Sequence, residues 1–87
     1  ARYFWQKLNL LQNKFKEIIE VRGAGLLLGI KIKTNNITMC NLFTKNGLLS
    51  VPASDNVIRL APPLIITYKE VDEAISIIEK SIKEIND

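Results

Sequence analysis

From Thr67 to the C-terminus, Val71, Ile75, Ile78, Ile82 and Ile85 recur at steps of four and three, the spacing of one apolar stripe along a helix. Thr67 followed three residues later by Glu70 is a capping-box sequence, so the start of that helix is fixed as well. A helix with one apolar face gains most of its stability by burying that face, so the rest of the chain must supply a layer to receive it.

The preceding segments supply such a layer. Phe4, Leu8, Leu11, Phe15 and Ile18 form a second apolar stripe, with Lys7, Lys14 and Glu17 off it, and predict a helix with one buried face. From Val21 to Lys33 the period changes to two: Leu26, Leu28, Ile30 and Ile32 alternate with Leu27, Gly29, Lys31 and Lys33, which predicts a strand or a bent pair of strands. After the polar break Thr34-Asn35-Asn36, the spacing of Ile37, Cys40 and Phe43 predicts a short helix stopped at Asn46-Gly47. Leu48–Val51 and Val57–Leu60 are β-prone runs joined by the turn-rich segment Pro52-Ala53-Ser54-Asp55-Asn56. The expected architecture is α+β, a small sheet covered by amphipathic helices in the order α-β-α-β-β-α.

Length and composition narrow the function classes. With 87 residues there is room for one modest core. A net charge of +3 is spread from Arg2 to Lys83 without a dense run, which permits nucleic acid without indicating it. Cys40 has no second cysteine and no histidine to join it, so neither an internal disulfide nor a Cys/His metal site is available, and a reducing cytoplasmic setting is expected. The longest apolar runs fall well short of the roughly 20 residues that span a bilayer, so no membrane association is expected. The absence of an initiating Met and the helical pattern already running at Phe4 suggest a piece of a longer polypeptide.

Few residues invite chemistry. The glycines of Arg22-Gly23-Ala24-Gly25 precede a strand, whereas a dinucleotide loop follows one, and Leu28 stands where a third glycine belongs; a tight turn or bulge is the better reading. Asn36-Ile37-Thr38 matches a glycosylation triplet but reads better as a helix start. Cys40 falls on the inner face of its helix as a small apolar residue. The carboxylates Glu70, Asp72, Glu73, Glu79 and Glu84 share the last helix with Lys69, Lys80 and Lys83, a solvated face. Arg59 differs: it is an isolated guanidinium in the apolar segment Asn56-Val57-Ile58-Arg59-Leu60-Ala61-Pro62-Pro63, and the prolines stiffen the chain beyond it. Its forked N–H groups match a carboxylate in a way that lysine does not. Chemistry alone leaves Arg59 open between an ordinary ion pair, which it favours, and a ligand site.

Three segments then occur in order: Glu20-Val21-Arg22-Gly23-Ala24-Gly25-Leu26-Leu27-Leu28-Gly29-Ile30, Gly47-Leu48-Leu49-Ser50-Val51-Pro52-Ala53, and Asn56-Val57-Ile58-Arg59-Leu60-Ala61-Pro62-Pro63-Leu64. Together they resemble the C-terminal part of class III aminotransferases, most closely the acetylornithine branch, with ornithine and succinylornithine relatives beside it. Ser54 is a departure, since those enzymes commonly carry Gly in that turn; if the backbone there needs a positive φ, Ser would be strained.

The resemblance implies that residues 1–87 are the C-terminal small domain of a pyridoxal-phosphate enzyme that works with 2-oxoglutarate in arginine biosynthesis. It further implies that the cofactor is held by a lysine of a large domain upstream, and that the parent is a homodimer acting on small amino-acid and 2-oxo-acid substrates. Within this segment the resemblance assigns a substrate carboxylate to Arg59, which reverses the preference from chemistry alone. It assigns no catalytic, cofactor-binding or metal-binding residue, and the segment alone is expected to be inactive. The alternative is a stand-alone α+β module for small ligands or RNA. An RNA-binding sheet wants aromatics on its strands, however, and Tyr3, Phe4, Trp5, Phe15, Phe43 and Tyr68 all fall in predicted helices.

Overall fold

The computed structural model describes residues 2–24, 27–60 and 67–86. The elements are α1 (Arg2–Lys14), β1 (Ile18–Ala24), β2 (Leu27–Ile32), α2 (Asn36–Lys45), β3 (Val51–Pro52), β4 (Val57–Leu60) and α3 (Tyr68–Asn86). The strands form one antiparallel sheet in the order β1-β2-β4-β3. The α+β expectation holds, and the extended segment that allowed a bent pair is a pair, β1 and β2.

The core is continuous across the layers. Phe4, Leu8 and Leu11 of α1, Met39, Cys40 and Phe43 of α2, and Val71, Ala74, Ile78 and Ile82 of α3 are buried with Val21, Leu28, Ile30, Ile32, Ile58 and Leu60 of the sheet. Cys40 is thus a core residue, as its place on the helix implied. α3 packs against both α1 and α2. Its start is the capping box expected from the sequence: the Glu70 backbone N–H donates to Thr67 Oγ1 (3.1 Å), and the Thr67 N–H donates back to Glu70 Oε1 (3.0 Å).

Two boundaries differ from the periodic reading, each because backbone hydrogen bonds are claimed elsewhere. The apolar stripe through Ile18 suggested a longer first helix, yet α1 ends at Lys14 and Ile18 pairs with Ile32 in the sheet, with a bulge between Ile18 and Glu20. Glu17, which the stripe placed outside, is buried, and its carboxylate accepts from the backbone N–H (2.6 Å) and hydroxyl (3.0 Å) of Thr34. β3 begins at Val51 rather than Leu48, because the Leu48 N–H is already spent on capping α2. It donates to Phe43 O (2.8 Å) while the Gly47 N–H, at φ 103°, donates to Thr44 O (3.1 Å). This is a Schellman closure that needs glycine's freedom at Gly47. Pro52, which has no N–H to give, is accommodated because β3 lies at the sheet edge.

Candidate functional site

With the helices on one face, the other face of the sheet is open. Paired residues on antiparallel strands point to the same side, so the register Arg22↔Gly29↔Arg59 sets two guanidinium side chains in one row on that face, with no side chain between them. Their backbones are two strand spacings apart, about 10 Å. Arg22, Gly29, Ala53, Val57 and Arg59 are among the residues lining an open groove of about 370 Å³ along this row. A Cβ on Gly29 would lie 3.0 Å from Val57 Cγ1, so the missing side chain is what allows the strands and the groove floor to fit.

The two arginines differ in their surroundings. Arg22 donates to Asp55 Oδ2 (2.9 Å) and lies 3.1 Å from Glu20 Oε1, and Lys31 Nζ donates to Asp55 Oδ1 (3.1 Å). The Lys31 ammonium and the Arg22 guanidinium hold the Asp55 carboxyl below the ordinary carboxylate range. Arg59 is exposed and makes no ion pair among the described residues. It is therefore the cation of this groove whose charge no described residue meets, and its forked N–H groups have the geometry of a planar anion's partner. Ala61 to Ile66, including the stiffening Pro62 and Pro63, lie outside the described residues, as do Gly25 and Leu26 at the expected β1–β2 turn.

The β3–β4 turn holds Arg59 in place. Asp55 and Asn56 have φ of 62° and 56°, the pattern of a type I′ turn, and the Val57 N–H donates to Ser54 O (3.3 Å). The strain suspected at Ser54 thus falls on the next two residues, whose short polar side chains tolerate it. Asn56 donates from Nδ2 to Ile32 O and Thr34 O (2.7 Å each) and accepts at Oδ1 from the Asn36 N–H (2.9 Å). Asn36 in turn donates from Nδ2 to Ala53 O (2.8 Å) and Val57 O (3.1 Å). Sequence reasoning singles out neither the bonding of these asparagines nor the Arg22–Asp55–Lys31 lattice. The Asp-Asn dipeptide in a short turn is the signal that could have found them.

Among the described residues, the lysine on the open face is Lys31, and its ammonium is paired with Asp55 at 3.1 Å. No aromatic side chain belongs to the described strands, so the face has no platform for stacking bases. No described helix is long and apolar enough to cross a membrane.

Comparison with known proteins adds to this geometry. The family model for class-III aminotransferases matches residues 1–82. The acetylornithine aminotransferase of Clostridium acetobutylicum is 39% identical over 83 residues, which is 95% of this chain and 21% of that protein. The ornithine aminotransferase of Geobacillus sp. is 42% identical over 80 residues, covering 92% of this chain and 20% of that protein. Among solved structures, the acetylornithine aminotransferase from Elizabethkingia anophelis superposes with a TM-score of 0.85 at 39% identity, over 95% of this chain and 23% of that one. The chain thus spans about a fifth of the length of the curated relatives it matches.

Proposed function

Since the chain belongs to the class-III aminotransferase family, we propose that residues 1–87 are the C-terminal small domain of an aminotransferase and that the domain's share of the work is to hold a substrate carboxylate on Arg59. The observation that carries this reading is the exposed Arg59 on the open sheet face, beside Gly29 and without an ion pair among the described residues. The names of the relatives support N-acetylornithine or ornithine as amino donor, the sequence resemblance adds succinylornithine, and the forked guanidinium suits the carboxylate of 2-oxoglutarate or glutamate as its counterpart. Arginine biosynthesis in the cytoplasm is the setting in which that exchange belongs.

Class-III aminotransferases use pyridoxal phosphate, which supplies the electron sink for amino-group transfer. In this reading its lysine belongs to a large domain outside residues 1–87, and the parent is a homodimer. The chain's own residues contribute orientation: two parallel N–H bonds from Arg59 fix the substrate's plane and distance, which lowers the entropic part of the barrier. Val57 and Gly29 form the apolar floor beneath it, and Asp55 keeps Arg22 and Lys31 from competing for the same anion.

The test is an assay of the full-length protein with each of the three donors and 2-oxoglutarate. Glutamate formation with at least one donor is expected, and none with any donor overturns the proposal. The isolated 87-residue chain mixed with pyridoxal phosphate is expected to give no turnover.

A further inference from the structure

Asn56 is three residues before Arg59 and at the entry to β4. Its backbone sits at φ 56°, where glycine would be less strained, so the amide is not there for the turn's geometry alone. Three of its four bonding positions are used: both Nδ2 hydrogens go to the β2–α2 connection, at Ile32 O and Thr34 O, and Oδ1 accepts from the Asn36 N–H. The backbone adds a further tie, Ile32 N–H to Asn56 O at 3.3 Å. Asn36 answers from the other side, with both Nδ2 hydrogens on Ala53 O and Val57 O, the two carbonyls that bracket the turn. Helix capping does not require the Asn36 amide, because Asn35 caps α2 by accepting from Ile37 N–H and Thr38 N–H.

This lock bears on Arg59 because β4 is otherwise lightly held on its outer side. Its partner there, β3, is two residues long and one of them is Pro52. β4 is four residues long, so a shift at Asn56 is carried directly along the strand to Arg59. We propose that Asn56, interlocked with Asn36, is a positioning residue that sets where the Arg59 guanidinium meets the substrate carboxylate. This inference rests on the carboxylate role proposed for Arg59.

The experiment uses the full-length, cofactor-loaded enzyme and follows the half-reaction with 2-oxoglutarate in single turnover. The variants are Arg59→Ala, Asn56→Gly, Asn36→Ala and the double change Asn56→Gly/Arg59→Ala. Asn56→Gly retains the positive φ and Asn36→Ala leaves the α2 cap intact, so the lock is removed from two sides, and the melting temperature of each variant is recorded. A misplacement of about 1 Å costs about a hundred-fold in rate efficiency. Asn56→Gly and Asn36→Ala are accordingly each expected to raise the half-saturation concentration of 2-oxoglutarate by about ten-fold or more. In the Arg59→Ala background Asn56→Gly is expected to add nothing, because the two act on one contact. A purely structural role would instead add its effect to that of Arg59→Ala, and this result overturns the proposal. So do unchanged half-saturation values in both asparagine variants when Arg59→Ala raises its own, which leaves the carboxylate reading standing. If Arg59→Ala itself changes nothing, the carboxylate reading fails and the positioning role with it.

Discussion

Gly29→Ala tests the groove floor at one atom. The new Cβ would stand 3.0 Å from Val57 Cγ1 and 3.5 Å from Ile58 O. Carbon atoms prefer about 3.5–4.0 Å, so Val57 must yield by a few tenths of an ångström. It is buried and β-branched, with a stiff first torsion, so rotation does not relieve the contact and the strain passes to the backbone of β4. Overpacking of this kind costs about 1–3 kcal/mol, against a gain of about 0.4–1 kcal/mol from replacing glycine in the unfolded chain. At mid-range the net is a loss of about 1.3 kcal/mol, within extremes of about 0 and 2.6, and for a domain of this size each kcal/mol moves the melting temperature by about 4–8 °C. Thermal unfolding of the chain followed by circular dichroism should therefore show a drop of several degrees. The cause is checked in a Val57→Ala background, where the smaller neighbour leaves room and Gly29→Ala should cost little. A melting temperature that stays level or rises, or a cost that persists once Val57 has been shortened, would refute the proposed close approach of β2 and β4.

Thr67→Ala removes one half of the capping box and should destabilise the chain by about 1 kcal/mol in urea unfolding, with an unchanged denaturant slope. A loss below a few tenths of a kcal/mol would show that the reciprocal bonds with Glu70 do not hold in solution. Stability should also fall with acid. Asp55 is held down by Lys31 and Arg22, Glu70 by the Thr67 N–H and hydroxyl, and Glu79 by Lys14 and Lys83, all below their ordinary values. A carboxyl depressed in the folded state contributes stability that is complete above its unfolded value and is lost as pH falls through its folded one. The loss should therefore begin as pH drops below the ordinary carboxylate range and deepen beneath it. Asp55→Asn should flatten part of that decline in a series of unfolding curves, and an identical acid profile would count against the Arg22–Asp55–Lys31 lattice.

Local signals are legible in the sequence where no distant strand competes for them. The Thr67–Glu70 cap, the stripe of α3, the inner-face Cys40 and the run Val57–Leu60 all occur as their spacing implied. The spacing of Ile18 from Phe15 suits a helix, whereas its pairing with Ile32 is a long-range contact that periodicity does not carry. The late start of β3 follows from the Schellman closure at Gly47, which takes the Leu48 N–H. Arg59 stands out as a lone charge among apolar neighbours. That it shares a row with Arg22 across a bare Gly29 is a matter of register, fixed only when β1, β2 and β4 align. The same holds for Asn36 and Asn56, which are 20 residues apart in the chain and joined by one hydrogen bond at the centre of the lock.

The central claim is that this domain contributes carboxylate recognition through Arg59, and single-turnover saturation of the full-length Arg59→Ala enzyme by 2-oxoglutarate tests it most directly. A hydrogen-bonded charge contact of this type contributes about 1.5–3 kcal/mol, so the half-saturation concentration should rise by about ten- to a hundred-fold. A half-saturation concentration equal to that of the unaltered enzyme would contradict the claim.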